Sequence, residues 1–320
     1  MGWWQISTDT LAESRFLVSA LAETTACLIA LSNGTAAHPG ERRWLDAHLP
    51  AYRARLADDP ITALLVRSAL RPRYLADFVT PAPTGETNLS FHEELAQIRA
   101  WPTDRVHADL QVALGGPVPE QLHRPGLAGH FADLLEWIWT TVVRPDWDRR
   151  RRIVEADVVA RTGQLGRGGW VTMLDAMRPG MRWLGEGRLQ VNPYGYPPRD
   201  AGKRLLFVPV TPGVGWVCWA ADRNAVIYPC SGVLAEPDPI PVPDALGALL
   251  GPARARVLVL LDAPKSTTQL IALTSQGLGS VGRHLKVLLD AQLIRRRRDG
   301  RSVLYDRTSA GEILIEAQAR

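Results

Sequence analysis

The chain has 320 residues, 46% hydrophobic and 22% charged, a globular balance that excludes wholesale disorder. At ~100–200 residues per domain, this length predicts two domains. No run approaches the ~18 apolar residues of a membrane span; residues 134–143 come nearest, and Glu136 interrupts them. The start of the chain lacks the basic opening and apolar core of a secretory signal. Three scattered cysteines, Cys27, Cys218 and Cys230, make neither a disulfide framework nor a Cys-x-x-Cys pair. These features predict a cytoplasmic protein with no membrane partner.

The net charge of +4 is unevenly placed. Residues 244–320 carry twelve basic and seven acidic side chains, whereas residues 1–243 carry twenty-five and twenty-six. A basic terminal domain predicts a polyanionic partner. Tryptophan divides the chain in the same place, because all eleven lie at or before Trp219. Alternating prolines from Pro237 to Pro243 then predict an extended linker. The boundary is placed at residue 243, giving domains 1–243 and 244–320.

In chain order, apolar residues at helical spacing predict helices over 8–31, 42–56, 61–78, 127–143 and 147–162. After Gly163 the texture becomes β-rich, with strands predicted at 181–184, 188–191, 205–210, 216–220 and 225–228. Helices followed by one small antiparallel sheet make this an α+β domain. The run Arg149 to Arg152 lies on a predicted helix with acidic neighbours and is read as a solvated or interdomain face.

The last quarter is more regular. A helix is predicted over 253–262, opened by Pro252 and closed by Pro264. Ser266 and Gln269 fit a capping box for a short helix ending near Leu273. A turn over 274–279 leads to a helix over 280–291. Its inward face is Val281, Leu285, Leu288 and Leu289, and its outward face is Ser280, Gly282, Arg283 and Lys286. Asp299-Gly300 predicts a hairpin turn between strands 293–297 and 302–306, and a helix over 308–319 follows. This order is that of a winged helix-turn-helix. Its third helix suits a DNA major groove, and its hairpin suits phosphates or a minor groove.

These residues resemble the winged helix of ArsR-type bacterial repressors. The resemblance rests on Thr267-Thr268-x-Leu270, then Val281-x-Arg283-His284-Leu285-Lys286-Val287-Leu288, then Ala291-x-Leu293-Ile294. It ends on an arginine-rich wing, Asp299-Gly300-Arg301-x-Val303-x-Tyr305. The long N-terminal part resembles the domain that precedes this winged helix in one ArsR-like subgroup. Its marks are Arg15-Phe16-x-Val18-Ser19 with Leu21-Ala22-Glu23, Phe78-Val79-Thr80-Pro81, Pro145-x-Trp147 and Glu155-Ala156-Asp157. The turn before the recognition helix departs from the family's Gly-Leu, reading Ser275-Gln276, and Leu278 is expected to fill the core in place of the missing leucine. The cysteine motif of metal-responsive members is absent from 267–274, and the terminal helix lacks the family's His and Asp ligands.

The resemblance implies a homodimeric repressor of double-stranded operator DNA. The expected DNA contacts are Thr267, Thr268, Ser280, Gly282, Arg283, His284, Lys286, Arg296, Arg298, Arg301 and Ser302. The N-terminal domain is expected to dimerise the protein, to sense a small organic ligand, or both. Trp137, Trp170, Trp183, Trp216 and Trp219 are the candidate lining of such a pocket. No metal site and no cofactor is expected. The histidines show no zinc spacing, Gly185-Glu186-Gly187 and Gly213-Val214-Gly215 lack the rest of a dinucleotide loop, and there is no Gly-x-Ser-x-Gly elbow. The sequence therefore predicts no enzyme. The alternatives are an N-terminal enzyme, or a protein-interaction module, with a DNA-tethering tail.

Overall fold

A computed structural model describes residues 2–36, 39–86, 89–230, 242–261, 264–274, 276–299 and 302–317; at 39, 40, 167, 268, 272, 298, 299 and 302 it describes the backbone alone. The chain divides into two compact units. One is Met1–Asp148 with Trp170–Leu234, and the other is Arg149–Gly169 with Ala235–Arg320. The predicted linker over 237–241 lies outside the described residues.

The first unit opens with β1 (Gly2–Gln5), α1 (Thr8–Ala12) and β2 (Arg15–Phe16). Six helices follow: α2 (Ala20–Asn33), α3 (Pro39–Ala57), α4 (Pro60–Ala69), α5 (Phe91–Arg99), α6 (Thr103–Leu114) and α7 (Leu127–Ile138). A π-helical turn (Trp139–Val143) and a 3-10 turn holding Pro145 lead into α8 (Trp147–Asp175), of which Arg149–Gly169 belongs to the second unit. Helix α8 breaks at Gly169, whose φ of 68° and ψ of −175° only glycine adopts readily. The unit closes with β3 (Arg182–Gly185), β4 (Arg188–Asn192), β5 (Arg199–Asp200), β6 (Arg204–Val210), β7 (Trp216–Trp219) and β8 (Arg223–Pro229).

The single helix expected over 8–31 is two helices with a strand between them. Ser19 caps α2 by accepting the Ala22 N–H, and Arg15–Phe16 is drawn off to pair in parallel with Leu206–Phe207. The helix expected over 61–78 ends at Ala69. Proline at position 72 lacks the N–H a helix needs, and an isolated bridge joins Leu70 to Leu75 instead. Helices α5 and α6 were not expected. Yet Ser90 and Glu93 form a full capping box at α5, with the Ser90 N–H donating to Glu93 at 2.7 Å.

The single antiparallel sheet is also corrected. The strands form two mixed four-stranded sheets, ordered β3-β4-β1-β5 and β2-β6-β8-β7. Strand β1 pairs in parallel with β5, and β6 pairs in parallel with both β2 and β8. Strands β6 and β8 read as nearly unbroken apolar runs because they are buried on both faces.

Helix α2 joins the two cores of this unit. Cys27, Leu28 and Leu31 pack with Leu65, Phe78 and Phe131 in the helical core. Ala22, Ala26 and Ile29 pack with Leu206, Val208 and Ile227 under the sheet. A helix buried on every face must satisfy any charge it carries. Glu23, 1% exposed, does so by accepting the Thr211 backbone N–H at 2.8 Å and the Thr211 hydroxyl.

Besides Arg149–Gly169 of α8, the second unit contains α9 (Asp244–Leu250), α10 (Pro252–Leu260), β9 (Lys265–Ser266), α11 (Thr267–Thr274) and α12 (Leu278–Asp290). It ends with β10 (Ile294–Asp299), β11 (Ser302–Arg307) and α13 (Ser309–Glu316), and its three strands make an antiparallel sheet ordered β10-β11-β9. Its core is Val257, Leu258, Leu270, Val281, Leu285, Leu288 and Ile294. Helix α9 and strand β9 were not expected; the other elements lie within a few residues of their predicted places. Gly311 seats α13, because a Cβ there would stand 2.2 Å from the Leu293 carbonyl oxygen.

Among the described residues no helix is long and apolar enough to cross a membrane.

Candidate nucleic-acid interface and ligand pocket

The interface candidates begin on α12. Val281, Leu285 and Leu288 are spaced four and three residues apart, so they share the buried face. Gly282, Arg283 and Lys286 are turned to solvent. Arg283 Nε donates to the Gly279 carbonyl at 3.2 Å, which lays its stem along the helix and leaves the guanidinium at the surface. Ser280 and His284 are half-buried and engaged with each other, Ser280 Oγ lying 3.2 Å from His284 Nε2 and 3.1 Å from Gln276 Oε1. Burial, then Arg254 and Arg283, hold the His284 imidazole below its ordinary pKa. These two side chains brace the N-terminal half of α12. Leu278 is not in the core: it starts α12 one turn beyond Val281, at the open end of the helix, and is 67% exposed.

The capping box of α11 is formed as expected. The Gln269 N–H donates to Ser266 Oγ at 3.2 Å, and the Ser266 N–H donates to Gln269 Oε1 at 2.8 Å. Thr267 is half-buried at the start of that helix.

On the hairpin, alternation sorts the arginines. Ile294 is buried, and Arg296 shares its face of β10, while Arg295 and Arg297 take the other. All three guanidiniums are exposed. Arg295 Nε donates at 2.7 Å to Asp306, its partner in register on β11. Arg307 turns inward. Its Nε donates to the Leu258 carbonyl at 2.9 Å, its Nη1 to Glu312 at 2.8 Å, and its Nη2 to the Val259 carbonyl. It therefore caps the end of α10 in the way basic side chains favour. The side chains of Thr268, Arg298 and Ser302, the turn at Gly300, Arg301 and Ser275 lie outside the described residues.

In the first unit a cavity of about 420 Å³ lies against β1, β7 and the segments 70–77 and 191–199. Two of the candidate tryptophans line it: Trp216, nearly buried, and Trp219, 48% exposed. Trp137, Trp170 and Trp183 are not among its lining residues. Trp137 packs on the helical core, Trp170 stacks on Phe207 with centroids 6.0 Å apart, and Trp183 lies on β3. Sequence reasoning missed Trp3, Trp4, Tyr74, Tyr194 and Tyr196, which complete the aromatic lining. Tyr196 donates to the Arg73 carbonyl at 2.8 Å and Tyr194 to the Pro72 carbonyl at 3.4 Å, tying two walls together. The density of Tyr and Pro over 193–198 was the available signal; it reads as a loop until the other wall is placed.

Arg71, Arg73, Arg178 and Arg199 also line the cavity. Arg199 sits over the Trp219 ring at 5.0 Å, within cation–π range. Asp77, the one carboxylate among the described lining residues, accepts from the Tyr74 hydroxyl at 3.0 Å, and burial raises its pKa despite Tyr74 and Arg199.

The N-terminal motif residues hold the fold. Phe16 packs on Phe207, Ser19 caps α2, Glu23 accepts from Thr211, and Phe78 is in the core. In the run 149–152, Arg150 is buried, whereas Arg151 and Arg152 are exposed and Arg151 pairs with Glu155. The three cysteines are buried, and burial pushes the Cys218 thiol up to about 12. Among the described residues no group of His, Cys, Asp and Glu is placed to hold a metal ion. Comparison with protein-family models, curated proteins and solved structures finds no match to this chain.

Proposed function

We propose that this chain is a transcriptional regulator, a homodimeric repressor of the ArsR type. In this reading residues 244–320 are a winged helix-turn-helix domain and residues 1–243 a regulatory domain. Helix α12 is the recognition helix and the β10–β11 hairpin is the wing. The observation that carries the reading is the joint exposure of Arg283 and Lys286 on α12 and of Arg295, Arg296 and Arg297 on the strand that follows it.

The chemistry supports a division of labour. Arg283 is suited to the bidentate reading of a guanine edge, and the hairpin guanidiniums are suited to phosphates. Ser280 and His284 are assigned to positioning α12, since they hydrogen-bond each other. A second copy is the natural partner for Leu249 on α9 and Ile313 on α13, each 65% exposed. Closed two-fold symmetry would set two half-sites about 10 bp, or a multiple of that, apart. The protein works in the cytoplasm in this reading, and the first unit supplies the effector site.

The test is selection from genomic fragments by the purified full-length chain, followed by gel shift. The expected result is a palindromic site bound far more tightly than random DNA of equal length. Equal affinity for all fragments, with a steep salt dependence, would mean a non-specific polyanion binder and would end the regulator assignment.

A further inference from the structure

We propose that the cavity of the first unit is a binding site for a small aromatic organic anion, a flat ring system bearing a carboxylate. Its volume of about 420 Å³ lies in the range of pockets that enclose small ligands, ~300–1,000 Å³. Two kinds of lining define the chemistry. Trp3, Trp4, Trp216 and Trp219 with the tyrosines supply ring faces and edges, which suit a flat apolar body. Four arginines against one carboxylate supply a surplus of positive charge.

Arg178 is the anchor. It lines the cavity and is half-buried, and its Nη1, closed to solvent, has no hydrogen-bond partner among the described residues. A partly desolvated cation is stabilised when an anion or hydrogen-bond acceptors meet it. Burial accordingly lowers the Arg178 pKa, with only Tyr194 acting in the opposite direction. Asp77 does not meet that need, since it is engaged by Tyr74. A carboxylate bound in the cavity would offset the positive charge of Arg178 without reaching the closed Nη1, and Arg199, held over the Trp219 ring, adds a second guanidinium on the exposed side of the site.

This site names the effector class of the regulator proposed above and rests on that reading only for its consequence on DNA. Binding is therefore measured without DNA, by titration calorimetry of the full-length chain with 2-naphthoate and its neutral isostere 2-naphthamide. The expected result is saturable binding of the acid, with the amide weaker by about tenfold or more, because hydrogen bonds to a charged group are lost. Arg178→Gln should bring the acid down to the affinity of the amide and leave the amide unchanged. Arg199→Gln, on the exposed side of the cavity, should give a smaller loss for the acid alone. Trp219→Ala should weaken acid and amide together.

Equal affinity for acid and amide overturns the proposal, as does no saturable heat from the acid at millimolar concentration. So does Arg178→Gln binding the acid like the parent. If Arg178→Gln does not fold by circular dichroism, the Arg199 and Trp219 variants decide, and unchanged acid affinity in both overturns the site. A chain that binds naphthoate but selects no DNA fragment keeps the site and loses the regulator. The reverse outcome removes the site alone.

Discussion

The arginines around the cavity of the first unit and those of α12 and the hairpin in the second are placed differently. In the first, Arg178 is drawn toward a cavity and Arg223 donates to the Pro83 carbonyl at 2.7 Å, so guanidiniums serve the interior and its pocket. In the second, Arg283, Arg296 and Arg297 stand in solvent on a helix and a hairpin, while Arg307 turns inward to cap α10 and Arg150 and Arg161 of α8 are buried. The difference follows from what each core can hold. The first unit encloses polar groups, with Glu94 buried and accepting from Ser19 at 2.6 Å as well as the Glu23 pair. The core around α10, α11, α12 and β10 is almost wholly aliphatic, so the cations of α12 and the hairpin are left on the outside. Cations gathered around a cavity suit one small anion, whereas cations spread over an exposed face suit a polyanion.

The sharpest way to break this comparison is to collapse one unit. Leu285→Ala removes a buried side chain from the second core and should cost about 2–5 kcal/mol there. Calorimetric melting should show the loss in one transition, with DNA binding abolished and naphthoate binding retained. Loss of both activities together would show that the units do not act separately. Gly311→Ala should destabilise the same unit by about 1–3 kcal/mol, because its Cβ meets the Leu293 carbonyl and α13 must shift. Denaturant titration checks this, and an unchanged midpoint would show that α13 moves freely.

Within the interface, Arg283→Ala should lower discrimination between selected and random DNA by about 1–3 kcal/mol. Arg296→Ala should weaken both similarly and flatten the salt slope by about one unit. Equal behaviour of the two variants would merge the reading and anchoring roles.

The smallest effect concerns Asp109 in the first unit. Burial, then the neighbouring Asp77, raise its pKa from 3.8 to about 6, despite the hydrogen bond from the Phe78 N–H. Between those two values the folded chain holds a proton that the unfolded chain has lost. The stability contributed by this group is therefore full below 3.8 and declines as pH rises through about 6. Asp109→Asn should gain melting temperature relative to the parent on going from pH 4 to pH 7. A constant difference across that range would remove Asp109 as the titrating group.

What was legible depended on the distance between partners. The Ser266–Gln269 box, the α12 inward face and the hairpin strands are local patterns, and each lies where the sequence placed it. The Ser90–Glu93 box is equally local and carries the same signal for α5. Strand β2 was not legible, because Arg15–Phe16 becomes a strand only when Leu206–Phe207, far along the chain, is beside it. The cavity was half legible: Trp216 and Trp219 were singled out, but Trp137, Trp170 and Trp183 belong to other surroundings. Tryptophan content carries no information about which rings face one another.

By itself the sequence determined the α+β class, the charge asymmetry and the helices and strands of the last quarter, because helical period, caps and turns act over a few residues. Only the tertiary structure decided that the strands of the first unit form two mixed sheets, that Leu278 is exposed, that Arg307 turns inward, and that Arg178 meets the aromatic cavity. Those outcomes depend on which distant segments exclude water from one another, and that is a property of the packed chain.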